Sequence, residues 1–177
     1  NRVRMTRVLG TAHGAIEIIK GLKLKEVLSY DYSIQKDARY FNALSGAGPK
    51  SGSDAQSSKG FIEYGKLISS TSLNYVRTFA NKHHLDVLAA YEAESFQTDK
   101  AAGEKSKMPS DQLFEPDNAA VINSFVSSTQ DYRLLSYLTR LNYDYDNRYY
   151  IAGSFRRDGS SRLAPEHRWG NFWSVSG

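Results

Sequence analysis

From Leu22 to Gln35 the chain alternates, position by position, between greasy and wet side chains. Leu22, Leu24, Leu28, Tyr30, Tyr32 and Ile34 share one parity, and Lys23, Lys25, Ser29, Asp31, Ser33 and Gln35 share the other. Only Glu26 falls among the wrong set. A helix turns too slowly to keep such a series on one face, whereas a strand presents every second side chain to the same side. The run therefore dictates a strand with one apolar and one polar face. The preceding run, with Ala12, Gly14, Ile16 and Ile18 against Thr11, His13 and Glu17, makes its hairpin partner within Thr6 to Lys36. Lys20-Gly21 is the turn, and Gly21 supplies a positive φ without steric cost.

The same period returns twice. In Phe61 to Phe96, Leu67, Leu73, Tyr75 and Phe79 oppose Ser70, Ser72 and Asn74. After a turn at Asn81-Lys82-His83, Leu85, Val87, Ala89, Tyr91 and Ala93 oppose Asp86, Glu92 and Glu94. In Leu134 to Arg162, Leu135, Tyr137, Leu141, Tyr143 and Tyr145 oppose Ser136, Arg140, Asn142 and Asp144, broken by Leu134 and Leu138. Asp146-Asn147 is a turn pair whose side chains bond nearby backbone. Tyr149, Ile151, Gly153 and Phe155 then alternate with Ala152, Ser154, Arg156 and Asp158. Asn171 to Ser176 opens a further strand. Between the hairpins lie long connections: Asp37 to Gly60, rich in Gly, Ser and Ala; Gln97 to Gln130, with a charged run from Asp99 to Lys107; and the polar stretch that ends in RRDGSSRLAPEHRWG. Asp117 to Phe125 is expected to be a short helix.

Short turns thus alternate with long loops. Soluble sandwiches have no reason to sort connections in this way, but an outer-membrane barrel has short turns on one rim and long loops on the other. The fold class expected is all-β: an antiparallel up-and-down meander of about seven strands forming part of a transmembrane β-barrel. The mean hydropathy of −0.54 does not oppose this, because half of each barrel strand faces a wet lumen. Twelve tyrosines in 177 residues suit a protein with many half-wet positions. No apolar run approaches the length of a membrane helix. The absence of cysteine removes disulfides and thiolate metal sites. The net charge of +4 is scattered, with no stripe suited to nucleic acid. The N-terminus lacks the apolar core of a signal peptide, so an exported protein would continue beyond this chain.

The aromatic residues near short turns, Tyr75, Phe79, Tyr143, Tyr145 and Tyr149, with Tyr150 beside them, are read as an interfacial girdle rather than a sugar path. Arg156 and Asp158 share the polar face, and with Arg162 they are candidates for the lumen or a loop. An ion-pair network is the plainer role for them, and contact with substrate or a plug is the alternative. Asp158-Gly159 reads as a turn or bulge. His83 and His84 point to opposite faces of a strand, and His13 and His167 lie far from both, so no metal site is expected. Glu92 and Glu94 fit a lumenal wall better than a paired-carboxylate hydrolase. No GxSxG elbow or P-loop is present. No catalytic residue, cofactor site or metal site follows, and the chain is not expected to be an enzyme.

The stretches GLKLKEVLSYDYS (Gly21–Ser33), LNYVRTFANKHHLDVLAAYE (Leu73–Glu92), Leu134–Arg162 and HRWGNFWSVSG (His167–Gly177) closely resemble the barrel of SusC/RagA-like TonB-linked outer-membrane transporters of Bacteroidetes-type bacteria. That family shows RxDGSSRF, RWG and FPSVS; here Leu163 stands for the Phe and Trp173 for the Pro. The resemblance covers essentially the whole chain. It implies a barrel of 22 strands filled by an N-terminal plug, a SusD-like surface lipoprotein as partner, and energy supplied through the TonB complex. It also implies import of oligosaccharide, or of peptide, through a wall set in outer-membrane lipid. Residues 1–177 would then be a fragment of the barrel domain, with the plug, signal peptide and remaining strands outside it. A soluble all-β carbohydrate-binding module is the alternative, and it requires a compact core.

Overall fold

A computed structural model describes residues 1–43 and 54–177. Its seven strands are β1 (Arg2–Ile19), β2 (Leu22–Phe41), β3 (Gln56–Phe79), β4 (His83–Ser106), β5 (Val121–Tyr145), β6 (Tyr149–Ser160) and β7 (Trp169–Ser176). They form one sheet in the order β1 to β7, each strand beside its neighbours in sequence. The all-β meander expected from the alternation is the fold observed.

The turns form where the local chemistry permits. Gly21 has φ +86°, a conformation that L side chains rarely adopt. Its N–H donates to Glu17 Oε1 at 2.8 Å, and its carbonyl accepts from the Val76 N–H at 2.8 Å. The second turn occupies Ala80–Lys82, one residue earlier than the Asn81–His83 expected, with Ala80 and Asn81 at φ 49° and 55°. At the third turn Asp146 and Asn147 have φ 56° and 54°, and Asp144 Oδ1 accepts from the Asn147 N–H at 2.9 Å. These are Asx geometries that local side-chain bonding stabilises.

Three expectations need correction. The long connections are shorter than the sequence indicates, because β2 runs on to Phe41, β3 starts at Gln56, β4 continues to Ser106 and β5 starts at Val121. Part of the Gly- and Ser-rich connection, residues 44–53, lies outside the described residues. The helix expected over Asp117 to Phe125 is a single 3-10 turn at Pro116–Asn118, and β5 follows it directly. Asp158-Gly159 is neither turn nor bulge: both residues are paired on both sides, Asp158 with Ser136 and Gly170, and Gly159 with Leu135 and Trp169.

The described residues fall into two compact units. The first comprises Asn1–Val8, Asp31–Gly65 and Gln97–Asp131. The second comprises Leu9–Tyr30, Lys66–Phe96 and Tyr132–Gly177, and contains all three short turns. Among the described residues the only buried apolar side chains are Ala55 and Ala119. Large side chains such as Leu28 (46% exposed), Leu141 (44%) and Ile151 (57%) stand open. A soluble module of this size buries its large apolar residues in a core. Here they have no partner layer, so the medium around the sheet must cover them.

In the first unit, the connection from β4 to β5 is tied down. Tyr40 Oη donates to Asp111 Oδ1 at 2.5 Å, Ser57 Oγ donates to the Phe114 carbonyl, and Lys59 pairs with Glu115. Desolvation first, and then the Asp111 carboxylate, push the Tyr40 phenol from 10.0 up to about 12. A raised pKa means the folded state holds the proton more tightly. The tether is therefore intact below about pH 10 and fails as pH rises through about 12. In a spectrophotometric titration of the full-length protein, Tyr40→Phe is expected to remove one late-ionising tyrosine. An unchanged titration would show that Tyr40 is not so held.

Candidate functional site

Register sorts the side chains of the second unit into two faces. Tyr137 lies opposite Arg157, Thr139 opposite Phe155, Leu141 opposite Gly153, Tyr143 opposite Ile151 and Tyr145 opposite Tyr149. On β7, Trp173 faces Phe155, Val175 faces Gly153 and Trp169 faces Gly159. Cross-strand partners share a face, so this face is apolar across three strands. The opposite face carries Ser136, Arg140, Asn142, Asp144, Ala152, Ser154, Arg156, Asp158 and Ser174. Tyr150, opposite Asp144, belongs to this polar face and not to the aromatic set beside it.

The five girdle candidates come together in two groups beside the short turns. Arg77 joins Tyr75 and Phe79: its Nη1 donates to Tyr75 Oη at 3.1 Å, and its guanidinium lies 4.8 Å from the Phe79 ring centre. His83 joins the others, with Nδ1 2.7 Å from Tyr143 Oη and its ring 4.9 Å from that of Tyr145. Tyr145 in turn stacks on Tyr149 at 6.4 Å. His84 bonds Thr78 instead, as its opposite parity requires.

A second aromatic group is absent from the sequence reading. Tyr91 lies 5.4 Å from Tyr137, Tyr137 lies 6.1 Å from Trp169, and the Arg157 guanidinium sits 4.8 Å above Trp169. Gly159 makes room for this indole, since a Cβ there would come 2.9 Å from the ring. Tyr137 and Tyr145 are eight residues apart on β5. That is roughly 26 Å of strand at about 3.3 Å per residue, or roughly 20 Å along the axis of a barrel whose strands tilt by about 40°. Thr139 and Leu141 lie between, beside Phe155 and Gly153. A barrel's hydrocarbon band is about 25 Å tall and bordered by aromatic rings on both sides. The signal was available: Tyr91 and Tyr137 keep the parity of the lower rings, but they come from separate strands and stand far from any turn.

The polar face is stitched by charge-assisted bonds. Asp86 Oδ1 accepts from Asn74 Nδ2 at 2.7 Å, and its Oδ2 lies 3.6 Å from Arg140 Nη2. Arg156 Nε donates to Asp158 Oδ1 at 2.7 Å, and its Nη2 reaches Ser136 Oγ at 3.4 Å. Arg162 does not join that pair. Its guanidinium lies 3.9 Å from the Tyr132 ring centre, and Tyr132 stacks on Phe96 at 4.8 Å. Glu94 accepts from Tyr132 Oη at 2.9 Å and pairs with Lys66 Nζ at 2.9 Å. Among the described residues no group of three or more His, Asp or Glu side chains is placed to hold a metal.

Glu26 is the exception on the apolar parity of β2, and it is satisfied locally. Ser69 Oγ donates to one carboxylate oxygen at 2.7 Å and Thr71 Oγ1 donates to the other. Two hydroxyls on the adjoining strand replace the water that a carboxylate on such a face lacks.

No protein-family model matches the chain. It is 26% identical over 172 residues to TonB-dependent receptor P39 of Formosa agariphila, covering 92% of this chain and 16% of that protein. Over 62 residues, 35% of this chain and 6% of that protein, it is 40% identical to TonB-dependent receptor SusC of Bacteroides thetaiotaomicron. Among solved structures, the RagAB peptide transporter superposes with a TM-score of 0.89 and 22% identity, over 98% of this chain and 19% of that one. This chain is similar in sequence to TonB-dependent receptors, SusC among them. The RagAB peptide importer in its closed-closed state superposes with a TM-score of 0.83 and 21% identity, over 98% of this chain and 20% of that one. The fold is therefore that of the transporter barrel wall, and the protein is a β-barrel protein of the bacterial outer membrane. Its relatives are receptors and transporters. The stretch spans about 16% of the length of receptor P39.

Proposed function

We propose that this receptor imports oligosaccharides across the outer membrane, with this stretch supplying barrel wall, periplasmic turns and extracellular loops. The observation that carries this reading is the two-faced sheet. Its apolar side is bordered by two aromatic groups, which we assign as the rims of the lipid band: Tyr75, Phe79, Tyr143, Tyr145 and Tyr149 on one rim, and Tyr91, Tyr137 and Trp169 on the other. The polar side, with Asp86, Arg140, Arg156 and Asp158, is the wall of the lumen. Those charges neutralise one another, which suits a path for uncharged, hydroxyl-rich cargo. Elsewhere in the protein, a plug closes the lumen, TonB opens it, and a SusD-like lipoprotein captures cargo outside. Peptide is the second reading, favoured by the likeness to the RagAB peptide transporter, which superposes with a TM-score of 0.89.

Uptake of labelled oligosaccharides and labelled peptides by cells carrying the full-length receptor tests this, with and without functional TonB. Saturable oligosaccharide uptake that disappears without TonB is expected. Uptake of peptides alone would replace the cargo, and uptake indifferent to TonB would defeat the transport reading itself.

A further inference from the structure

In the second unit, a groove of about 490 Å³ runs along the border that Tyr91 and Trp169 mark, and both line it. Leu67, Ala93 and Leu135 line it too, all on the odd parity of the apolar face. Arg133 and Arg168 are at the same groove, and the Arg157 guanidinium stands over the Trp169 ring. All three arginines are exposed. Arg168 Nε donates to the Leu163 carbonyl at 3.2 Å. Among the described residues no carboxylate lies in ion-pair range of any of the three. Glu94, the carboxylate that lines the groove, is engaged by Lys66 and Tyr132. On the polar face Asp86 answers Arg140 and Asp158 answers Arg156, whereas these three cations have no counter-charge.

Register fixes their depth. Leu135, Gly159 and Trp169 are successive cross-strand partners. Arg168 therefore lies one residue past the level of the indole and Arg133 two, toward the long loops. At about 3.3 Å per residue and a tilt of about 40°, that is roughly 3 and 5 Å beyond the border. The polar layer outside the hydrocarbon is roughly 5–7 Å deep on each side. Backbone bonds hold the arrangement: the Ser161 N–H donates to the Arg133 carbonyl and the Ser160 N–H to the Arg168 carbonyl, both at 3.0 Å. β5 and β7 are two strand spacings apart, roughly 10 Å, a gap that two long arginine side chains can close on one anion.

We propose that this groove holds one phosphorylated lipid of the outer leaflet, with its phosphate on Arg133, Arg157 and Arg168 and the start of an acyl chain along Leu67, Tyr91 and Leu135. Charge complementarity and depth choose the occupant together. Unpaired guanidiniums match phosphate oxygens with paired N–H donors. Their place in the polar layer, directly beside the apolar face, sets that phosphate at the head of a hydrocarbon chain. A free phosphate leaves the apolar wall unused, and an uncharged lipid leaves the cations unpaired. The inference rests on the assignment of this face to lipid and is independent of the cargo.

The test is native mass spectrometry of the full-length receptor in neutral detergent, titrated with diphosphorylated lipid A and with its dephosphorylated form. One tightly bound copy of the diphosphorylated form is expected. The combined variant Arg133→Gln, Arg157→Gln, Arg168→Gln is expected to weaken it on the order of 100-fold at low salt. Removing three cations elsewhere, with Arg2→Gln, Arg4→Gln and Lys36→Gln, should leave affinity nearly unchanged. Heat-dependent gel mobility, which reports a folded barrel, should be normal in both variants. Equal losses in the two variants, or equal affinity for the dephosphorylated lipid, would overturn the proposal. So would complete displacement by millimolar inorganic phosphate, which would leave a simple anion site, or a receptor dimer that the first variant dissociates, which would give the groove to a second copy. Absent lipid binding, with a spin label at Leu141 still favouring oxygen in vesicles, would sink this site and leave the lipid-facing wall standing.

Discussion

Leu141→Arg in the full-length receptor is expected to destabilise the assembled barrel by about 2–4 kcal/mol, the cost of a cation near the middle of a hydrocarbon band. Leu141 sits on the apolar face, opposite Gly153 and between Thr139 and Tyr143. Four residues separate it from Tyr145 and four from Tyr137, the residues that mark the two aromatic borders. A guanidinium placed there is too far from either border to reach water easily by bending. The neighbouring substitution Ala152→Arg puts the same charge on the polar face, where Asn142 is its cross-strand partner. It should change stability little. Guanidinium unfolding in lipid vesicles, read by heat-dependent gel mobility, compares the two. Equal losses would mean that the faces do not meet different media.

Gly21→Val is expected to be the most damaging single change at a turn. With φ +86°, a non-glycine residue costs roughly 1–3 kcal/mol of backbone strain. A Cβ would also come 2.3 Å from the Val76 carbonyl oxygen, and backbone cannot yield as a flexible side chain does. The Gly21 carbonyl accepts the Val76 N–H, so any shift that relieves the clash breaks the bond that starts the β2–β3 pairing. Lys20→Ala, one residue away, keeps the turn and serves as control. The fraction of receptor that reaches the folded, heat-modifiable form should fall sharply for Gly21→Val and stay normal for Lys20→Ala. Normal folding of Gly21→Val would show that this turn does not need glycine.

Gly21, Asp146 and Asn147 were legible because turn chemistry is local. The hairpins were legible because one face of each strand is uniformly greasy. Where that condition lapses, the alternation vanishes though the strand continues. TDKAAGEKS, at the loop end of β4, carries polar or small residues on both parities, so it reads as loop. Its ladder is nonetheless paired and supported by Thr129 Oγ1 donating to Asp99 Oδ1 at 2.6 Å and by Ser106 bonding Asn123 at 2.8 Å. The same lapse makes Val121 to Asp131 resemble a helix or a loop. The pairing of Arg156 with Asp158 follows from i, i+2 spacing on one face. The placement of Arg162 over Tyr132 does not, because it depends on how the chain leaves β6 and on the register of the strand that carries Tyr132. The group of Tyr91, Tyr137 and Trp169 is likewise a product of register, across β4, β5 and β7.

This chain holds no cysteine, so a cysteine introduced into it is the only label on these strands once any thiols elsewhere in the protein are replaced. Single cysteines from Leu135 to Tyr143 of the full-length receptor, spin-labelled in lipid vesicles, can be scored for collision with oxygen, which concentrates in hydrocarbon, and with a water-soluble nickel chelate. Odd positions, Tyr137, Thr139 and Leu141, should favour oxygen, and even positions, Ser136, Leu138, Arg140 and Asn142, should favour nickel, with a strict period of two. A profile without that period, or oxygen preference at Arg140 and Asn142, would contradict a wall with lipid on one side and water on the other.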